Sequence, residues 1–302
     1  MGAVGRLIGR PVRNRHSGAG RNPAGRPGWV PAFVILVAAL LSQAARAQGL
    51  VYERLTIPQL PESTLNASDP PVTGYLFKPE APGPHPAVVL LHGCDGLDWK
   101  QRTRSTWVLL SEYARRYADH GMAALVLDSF APRGVDLVCT KPDEVSIFHR
   151  AWDAFAAARL LAARPDIDRN RLVVEGDSHG GSTALLSVVA NRWRQLPEHF
   201  AAAIAFYPNC FKTGYFSAPT LILIGTGDDW TPAADCTEMM TRLARTGHAD
   251  NVTLRTFPGA THAFDIPIAE RTNFLGHHMK FDRDATAESW REIDGFLDRA
   301  LK

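Results

Sequence analysis

A serine lies between two glycines in the segment Gly-Asp-Ser-His-Gly at residues 176–180. This spacing is typical of the sharp turn between a strand and a helix that presents a catalytic nucleophile. The segment follows an apolar run, residues 172–175, and precedes a helical run that starts at Thr183. Such a turn lifts the hydroxyl clear of the backbone, and its glycines remove side chains that would clash there. The motif is a weak signal by itself, but with both flanking elements it predicts Ser178 as a nucleophile.

A serine nucleophile needs a general base and an acid that orients the base, and candidates follow in the chain order serine, acid, histidine. Asp228 and Asp229 follow the apolar run at residues 221–224. A carboxylate at the carboxyl end of a strand could receive an imidazole N–H, and we favour Asp228 for this role. Asp229 is the alternative, and one of the two could serve only as a turn former or helix cap. His262, in a Gly-containing loop after the last predicted strand, is the predicted general base.

Two backbone amides could stabilise the oxyanion that forms when the serine attacks a carbonyl group. One amide belongs to His179, directly after the serine, and the other to Cys94, in a Gly-rich turn after the apolar run at residues 88–91. That turn is equally compatible with an ordinary connection between a strand and a helix. His277 and His278 are adjacent, and their spacing does not compel a zinc site, so we predict no metal site.

The N-terminal 47 residues have the order of a secretory signal peptide. They contain seven arginines and no acid, then a twelve-residue apolar run at residues 30–41, then Ala-Arg-Ala at residues 45–47. The run is shorter than the roughly 20 residues of a typical membrane span, although an uncleaved anchor is the alternative. We expect cleavage between Ala47 and Gln48, a periplasmic or secreted protein, and contact with the membrane only during export.

Composition excludes several classes of protein. Of 302 residues, 45% are hydrophobic and 21% are charged, which is typical of a globular protein and not of collagen, a disordered chain or a disulfide-built miniprotein. After residue 47 the chain holds 26 basic and 31 acidic residues, a formal charge of about −5. It therefore lacks the basic character of a nucleic-acid-binding protein, and we predict no nucleic-acid partner.

All four cysteines lie in the part of the chain that would be exported, where an oxidising compartment permits disulfides. Four cysteines allow three pairings. We favour Cys94 with Cys139 and Cys210 with Cys236, because each pair would link loops that follow neighbouring predicted strands. Buried free thiols are the alternative.

From residue 48 onward, short β-rich runs alternate with helical runs, without an internal repeat or a long linker. This alternation predicts a single α/β domain, residues 48–302, with a mostly parallel central sheet flanked by helices. The segment 129–146 lacks periodicity and is predicted to be a functional loop. Strands are predicted at residues 72–77, 87–91, 123–127, 172–175, 202–206, 220–224 and 252–256. Helices are predicted at residues 103–119, 147–163, 180–193, 233–246 and 286–301.

Five motifs between residues 70 and 300 together resemble those of the dienelactone hydrolase family of α/β-hydrolases; they occupy residues 92–96, 128–134, 176–181, 225–232 and 259–264. The resemblance implies an α/β-hydrolase fold and hydrolysis of ester or lactone bonds of small molecules by a nucleophile, Asp and His triad. It also implies that neither a metal nor an organic cofactor takes part. By analogy with the family, Arg133 could pair with a substrate carboxylate, and a structural salt bridge to Asp136 or another loop acid is the alternative.

The chain departs from the namesake enzymes of the family at two positions. It has Ser178 where they use a cysteine, and Gly93 where they carry a glutamate. The predicted function is therefore a serine hydrolase of small carboxylic esters or lactones, acting through an acyl-enzyme, rather than of a dienelactone. The alternatives are an exported, non-catalytic ligand-binding protein on the same fold and a peptidase resembling prolyl oligopeptidases. About 230 residues leave no room for the additional propeller domain of those peptidases.

Overall fold

The computed structural model describes residues 51–97, 106–211, 214–273 and 275–302. The predicted signal peptide, residues 1–47, lies outside the described residues. Within the described ranges, no helix combines the length and the apolar character that crossing a membrane requires.

Eight strands form one mostly parallel sheet: β1 (Glu53–Ile57), β2 (Val72–Phe77), β3 (His85–Leu91), β4 (Ala123–Asp128), β5 (Ile167–Asp177), β6 (Ala202–Phe206), β7 (Thr220–Gly225) and β8 (Val252–Phe257). Their order in the sheet is β1-β2-β4-β3-β5-β6-β7-β8. The contacts of β2 with β1 and with β4 are antiparallel, and the other neighbours pair in parallel. Strands β4, β6 and β7 are buried along their whole length, which explains their mostly apolar sequences.

The sheet is flanked by the helices α1 (Thr106–Asp119), α2 (Ile147–Ala162), α3 (His179–Ser187), α4 (Ala233–Arg245) and α5 (Arg283–Ala300). A 3₁₀ turn spans Ala131–Arg133, and a separate two-stranded hairpin pairs β9 (Arg271–Thr272) with β10 (His278–Met279). The predicted α/β fold with a mostly parallel sheet and flanking helices is confirmed.

The structure differs from the predicted elements in several details. Strand β5, predicted at residues 172–175, begins at Ile167 and ends at Asp177. The helix predicted at residues 180–193 ends at Ser187. Beyond it, the chain pairs with a distant segment, because the Ala190 N–H donates to the Tyr215 carbonyl and the Ser217 N–H donates to the Val188 carbonyl. Strand β1 and the hairpin strands β9 and β10 were not predicted, since β1 is mostly exposed and β9 and β10 have two residues each.

Both favoured disulfides are confirmed: Cys94 is bonded to Cys139, and Cys210 is bonded to Cys236. The first joins the turn after β3 to the segment 129–146. The second joins the segment after β6 to the first turn of α4. Each bond thus connects segments that follow neighbouring strands of the sheet, although Cys236 lies in a helix and not in a loop. The presence of two disulfides favours an oxidising environment for the protein.

Candidate active site

Ser178 occupies the turn between β5 and α3, with φ 53° and ψ −113°. A positive φ is strained for a residue with a side chain, and such strain is characteristic of functional turns. The two glycines of the motif have steric reasons to be there. A Cβ at Gly176 would collide with the Gly180 backbone, and a Cβ at Gly180 would collide with the Leu91 carbonyl oxygen of β3. The turn therefore packs too tightly for any other residue at either position.

The three residues predicted to form a triad lie in one continuous hydrogen-bonded row. His262 Nε2 lies 3.0 Å from Ser178 Oγ, and His262 Nδ1 lies 2.8 Å from Asp228 Oδ2. His262 and Asp228 are buried, with 2% and 5% of their surface exposed. The loops that carry these residues follow β5, β7 and β8, and parallel strands bring their carboxyl ends to one edge of the sheet.

The structure separates the two candidate acids. Asp229 points away from His262, because one of its carboxylate oxygens lies 3.3 Å from His277 Nδ1 and the other accepts a hydrogen bond from the His278 N–H. Asp228 instead faces His262 and accepts the backbone N–H groups of Trp230 and Thr231 on its other oxygen, at 2.9 and 2.8 Å.

Those contacts decide the charge of Asp228. Burial raises the pKa of this carboxyl, but the hydrogen bond and charge of His262 and the hydrogen bonds from Thr231 outweigh burial, so that its pKa lies below the usual range. Asp228 is therefore an anion at neutral pH. The Thr231 hydroxyl also lies 3.0 Å from the Tyr207 carbonyl oxygen and 3.1 Å from His262 Nδ1, so it lies beside the contact between Asp228 and His262.

The two residues expected to supply oxyanion amides lie at the same sheet edge. Leu91, at the end of β3, is in register with Gly176 of β5, so the turn that contains Cys94 lies beside the serine turn. His179 is the first residue of α3, at the helix end where backbone N–H groups point outward. Cys94 and Ser178 both line the same cleft.

That cleft has a volume of about 120 Å³. The hairpin of β9 and β10 forms one wall, and Met279 of β10 pairs with His262 through an isolated bridge. The Trp230 ring lies between the rings of His262 and His277, at centroid distances of 4.8 and 4.7 Å. The lining residues are Gly93, Cys94, Asp95, Cys139, Asp177, Ser178, Tyr207, Trp230, His262, Ala263, Ile266, Arg271, Asn273 and Met279.

Arg133 is not part of that lining. Its guanidinium donates to Asp69 at 2.7 Å, to both oxygens of Asp153 at 2.7 and 2.9 Å, and to the Ser129 carbonyl at 2.7 Å. Only 7% of its side chain is exposed. This arrangement favours the alternative of a structural salt bridge, with Asp69 and Asp153 as the partners.

A buried cation behind the serine turn was missed. Arg150 of α2 is fully buried, with Nη1 2.9 Å from His179 Nδ1 and Nη2 donating to the His92 carbonyl at 2.7 Å. Burial lowers the pKa of Arg150 to about 10, and burial together with the charge of Arg150 lowers the pKa of His179 to about 3. His179 is therefore neutral and accepts from Arg150. The available signal was an arginine in line with Ala154 and Ala157, on a helix face that is otherwise apolar.

A buried carboxyl beneath His262 was also missed. Asp265 accepts the hydroxyl groups of Tyr113 and Tyr207, at 2.6 and 2.7 Å, and burial raises its pKa. The Tyr207 ring packs against the His262 ring at a centroid distance of 4.7 Å. The Tyr207 ring, whose hydroxyl is held by Asp265, thus supports the His262 imidazole. Among the described residues, no group of three His, Cys, Asp or Glu side chains is arranged to hold a metal ion.

Comparison with known proteins points to one family. The dienelactone hydrolase family matches residues 72–301. A putative dienelactone hydrolase from Klebsiella pneumoniae is 20% identical, with a TM-score of 0.62 over 82% of this chain and 98% of that one. A dienelactone hydrolase-like promiscuous phosphotriesterase from metagenomic libraries is 20% identical, with a TM-score of 0.65 over the same shares.

Esterase 2 of Thermogutta terrifontis is 17% identical, with a TM-score of 0.57 over 82% of this chain and 91% of that one. At these identities the likeness to the solved structures shows a shared fold. The family match, in contrast, spans well over half of the sequence, including every motif of the candidate site. The chain therefore belongs to the dienelactone hydrolase family and is a hydrolase of ester-type substrates.

Proposed function

We propose that the protein cleaves carboxylic ester or lactone bonds of small molecules, with Ser178 as nucleophile, His262 as general base and Asp228 as the orienting acid. The observation that carries this proposal is the row of contacts from Ser178 Oγ through the His262 ring to Asp228, at 3.0 and 2.8 Å. A serine hydroxyl is a weak nucleophile, and a base within hydrogen-bond reach is what activates it.

In the first half of the reaction, Ser178 Oγ attacks the substrate carbonyl carbon while His262 Nε2 takes the hydroxyl proton. Asp228 stays ionised and stabilises the imidazolium, as its lowered pKa permits. The backbone N–H groups of His179 and Cys94 donate to the oxyanion. When the tetrahedral intermediate collapses, His262 gives its proton to the leaving alcohol oxygen, and the acyl group remains on Ser178.

In the second half, water attacks the acyl carbon and His262 Nε2 takes a proton from that water. Collapse of the second intermediate returns the proton to Ser178 Oγ and releases the carboxylic acid. For a lactone the alcohol and the acid belong to one molecule, so the freed alcohol stays tethered to the acyl group and this step releases a single hydroxy acid. The chemistry needs no group beyond the protein and water.

The cleft supports short substrates. A volume of about 120 Å³ accommodates a small acyl group, and Trp230, Ile266 and Met279 give it apolar surface. Arg271 lines the cleft, whereas Arg133 is held by Asp69 and Asp153. We therefore assign no substrate contact to Arg133, and a substrate carboxylate would meet Arg271 instead.

We also propose that the protein is exported, with the leader removed near Ala47, and acts in the periplasm or outside the cell. The two disulfides support this location, because the cytosol keeps thiols reduced. N-terminal sequencing of the protein recovered from the periplasm and the medium tests it. A start near Gln48 is expected, and recovery of the uncleaved chain from the cytosol alone would contradict it.

Hydrolysis of p-nitrophenyl acetate and butyrate tests the proposed function. The wild type should turn over both esters, and Ser178→Ala should lower kcat by at least 10⁴-fold. A fluorophosphonate probe should label Ser178 in the wild type, as located by mass spectrometry. A folded wild type that is neither labelled nor active would overturn the proposal, as would labelling of another serine that accompanies full activity in Ser178→Ala.

A further inference from the structure

We propose that the Cys94–Cys139 disulfide is a positioning element of the active site: Cys139 holds the backbone amide of Cys94 where the oxyanion forms. The inference rests on the proposed function, in which that amide is one of the two oxyanion donors. It assigns a catalytic purpose to the segment 129–146, which otherwise lies beside the cleft as a loop of unexplained length.

The first observation is that this segment holds Cys94 at two points. The Cys94 sulfur is bonded to Cys139, and the Cys94 carbonyl accepts the Val138 N–H at 2.7 Å. With the side chain and the carbonyl of one residue both anchored, the orientation of its peptide groups is restricted. An oxyanion donor gains most from such restriction, because its dipole must already point at the developing charge.

The second observation is that the segment is a rigid anchor. Phe130, Val138 and Val145 form a small buried cluster of their own, with exposures of 1%, 0% and 2%. Arg133 ties the start of the segment to α2 through Asp153. Movement of Cys139 would therefore disturb a packed core and a buried ion pair, so the position of Cys139 is well determined.

The third observation is that the same segment reaches the other oxyanion residue. The Phe130 ring lies edge-on to the His179 ring at a centroid distance of 6.4 Å, and His179 Nδ1 lies 2.9 Å from Arg150 Nη1. The segment 129–146 thus contacts Cys94 through a covalent bond and His179 through the Phe130 ring. Breaking the disulfide removes the covalent contact with Cys94 and leaves the contact with His179 in place.

The two disulfides differ in a way that gives an internal control. Cys94 and Cys139 are half-buried and line the cleft, so a small reductant can reach them. Cys210 and Cys236 are 7% and 0% exposed and are not among the residues that line it. A dithiol such as dithiothreitol would donate two electrons to the Cys94–Cys139 bond. Its two thiol protons would end on the protein sulfurs, and it would itself become a cyclic disulfide.

The decisive comparison is between two double variants. Cys94→Ala/Cys139→Ala should lower kcat for p-nitrophenyl butyrate by 10- to 100-fold with KM within threefold of the wild type, because oxyanion donors act mainly in the transition state. Cys210→Ala/Cys236→Ala should keep kcat within threefold, even though its Tm falls. Affinity for a trifluoromethyl ketone, which mimics the tetrahedral intermediate, should fall in parallel with kcat only in the first variant.

Reduction of the intact protein gives a test that does not depend on how a variant folds. Dithiothreitol under native conditions, well below Tm, should lower kcat of the wild type and of Cys210→Ala/Cys236→Ala, and reoxidation should restore it. The same treatment should leave kcat of Cys94→Ala/Cys139→Ala unchanged.

Several results would overturn the inference. If kcat of Cys94→Ala/Cys139→Ala stays within twofold of the wild type while activity still requires Ser178, the disulfide has no positioning role and the proposed function stands. Equal losses of kcat in both double variants, in proportion to their losses of Tm, would assign the effect to general stability. An inactive wild type would remove the proposed function and this inference with it.

Discussion

Replacing Asp228 by asparagine exchanges one carboxylate oxygen for an NH₂ group and so tests whether that oxygen orients His262. The Trp230 and Thr231 N–H groups both donate to Asp228 Oδ1, so in Asp228→Asn they should hold the amide oxygen at that site. The amide nitrogen then occupies the Oδ2 site, 2.8 Å from His262 Nδ1. Because an NH₂ group donates, His262 must turn its Nδ1 lone pair toward it and carry its proton on Nε2.

That tautomer cannot accept the proton of Ser178. The expected loss in kcat is about 10⁴-fold, as found for this change in a serine protease triad, and corresponds to about 5 kcal/mol of barrier. Rotating the amide would restore the acceptor to His262 only by leaving two backbone N–H groups without their acceptor, each at a cost of about 1–3 kcal/mol. Catalysis thus requires Asp228 as a hydrogen-bond acceptor for the His262 N–H as much as it requires its negative charge.

Hydrolysis of p-nitrophenyl butyrate at pH 7 to 10 measures the effect, with Tm and circular dichroism as controls of folding. Asp229→Asn is the matched control: the side chain of Asp229 is 49% exposed and faces His277, so its kcat should stay within twofold of the wild type. More than a tenth of the wild-type kcat in Asp228→Asn, or an equal loss of activity in Asp229→Asn, would contradict this role of Asp228.

Three further predictions concern buried and cleft charges. Burial raises the pKa of Glu175 from 4.5 to about 8. The unfolded chain therefore releases this proton at a lower pH than the folded protein does, and the stability of the fold should fall as pH rises from about 4.5 to 8. Glu175→Gln should flatten the plot of Tm against pH across that window. Arg150→Met should lower the free energy of unfolding in urea by about 3 kcal/mol, because it leaves buried partners of the guanidinium unpaired, and a change under 0.5 kcal/mol would contradict this. Arg133→Gln should lower Tm without changing KM for an ester that bears a free carboxylate. Arg271→Gln should raise KM for that ester at least threefold and leave KM for a neutral ester within twofold. The reverse pattern would return the substrate role to Arg133.

The order of strands and helices could be predicted because each signal is local. The strands β4, β6 and β7 are mostly apolar runs, and a strand that is buried on both faces favours such a sequence. The end of α3 could not be predicted, since Val188 and Ala190 pair with residues 215–217, and residues so far along the chain leave no mark on local periodicity. The same holds for β1, whose pairing with β2 outweighs its exposed pattern.

The candidate site divides in the same way. That Ser178 and His262 lie close together was predictable from sequence alone, because a nucleophile turn needs glycines at fixed spacing and a parallel sheet gathers the loops after its strands at one edge. The pairs of cysteines followed from the same rule. These are consequences of chain order, which the sequence contains in full.

Only the tertiary structure decided which neighbours each polar group meets. It turned Asp228 toward His262 and Asp229 away from it, and it placed the guanidinium of Arg133 between Asp69 and Asp153. A charged side chain in a packed interior must find partners, and those partners come from distant parts of the chain. The sequence therefore determined which chemistry is available to this protein, and packing determined which side chains are free to perform it.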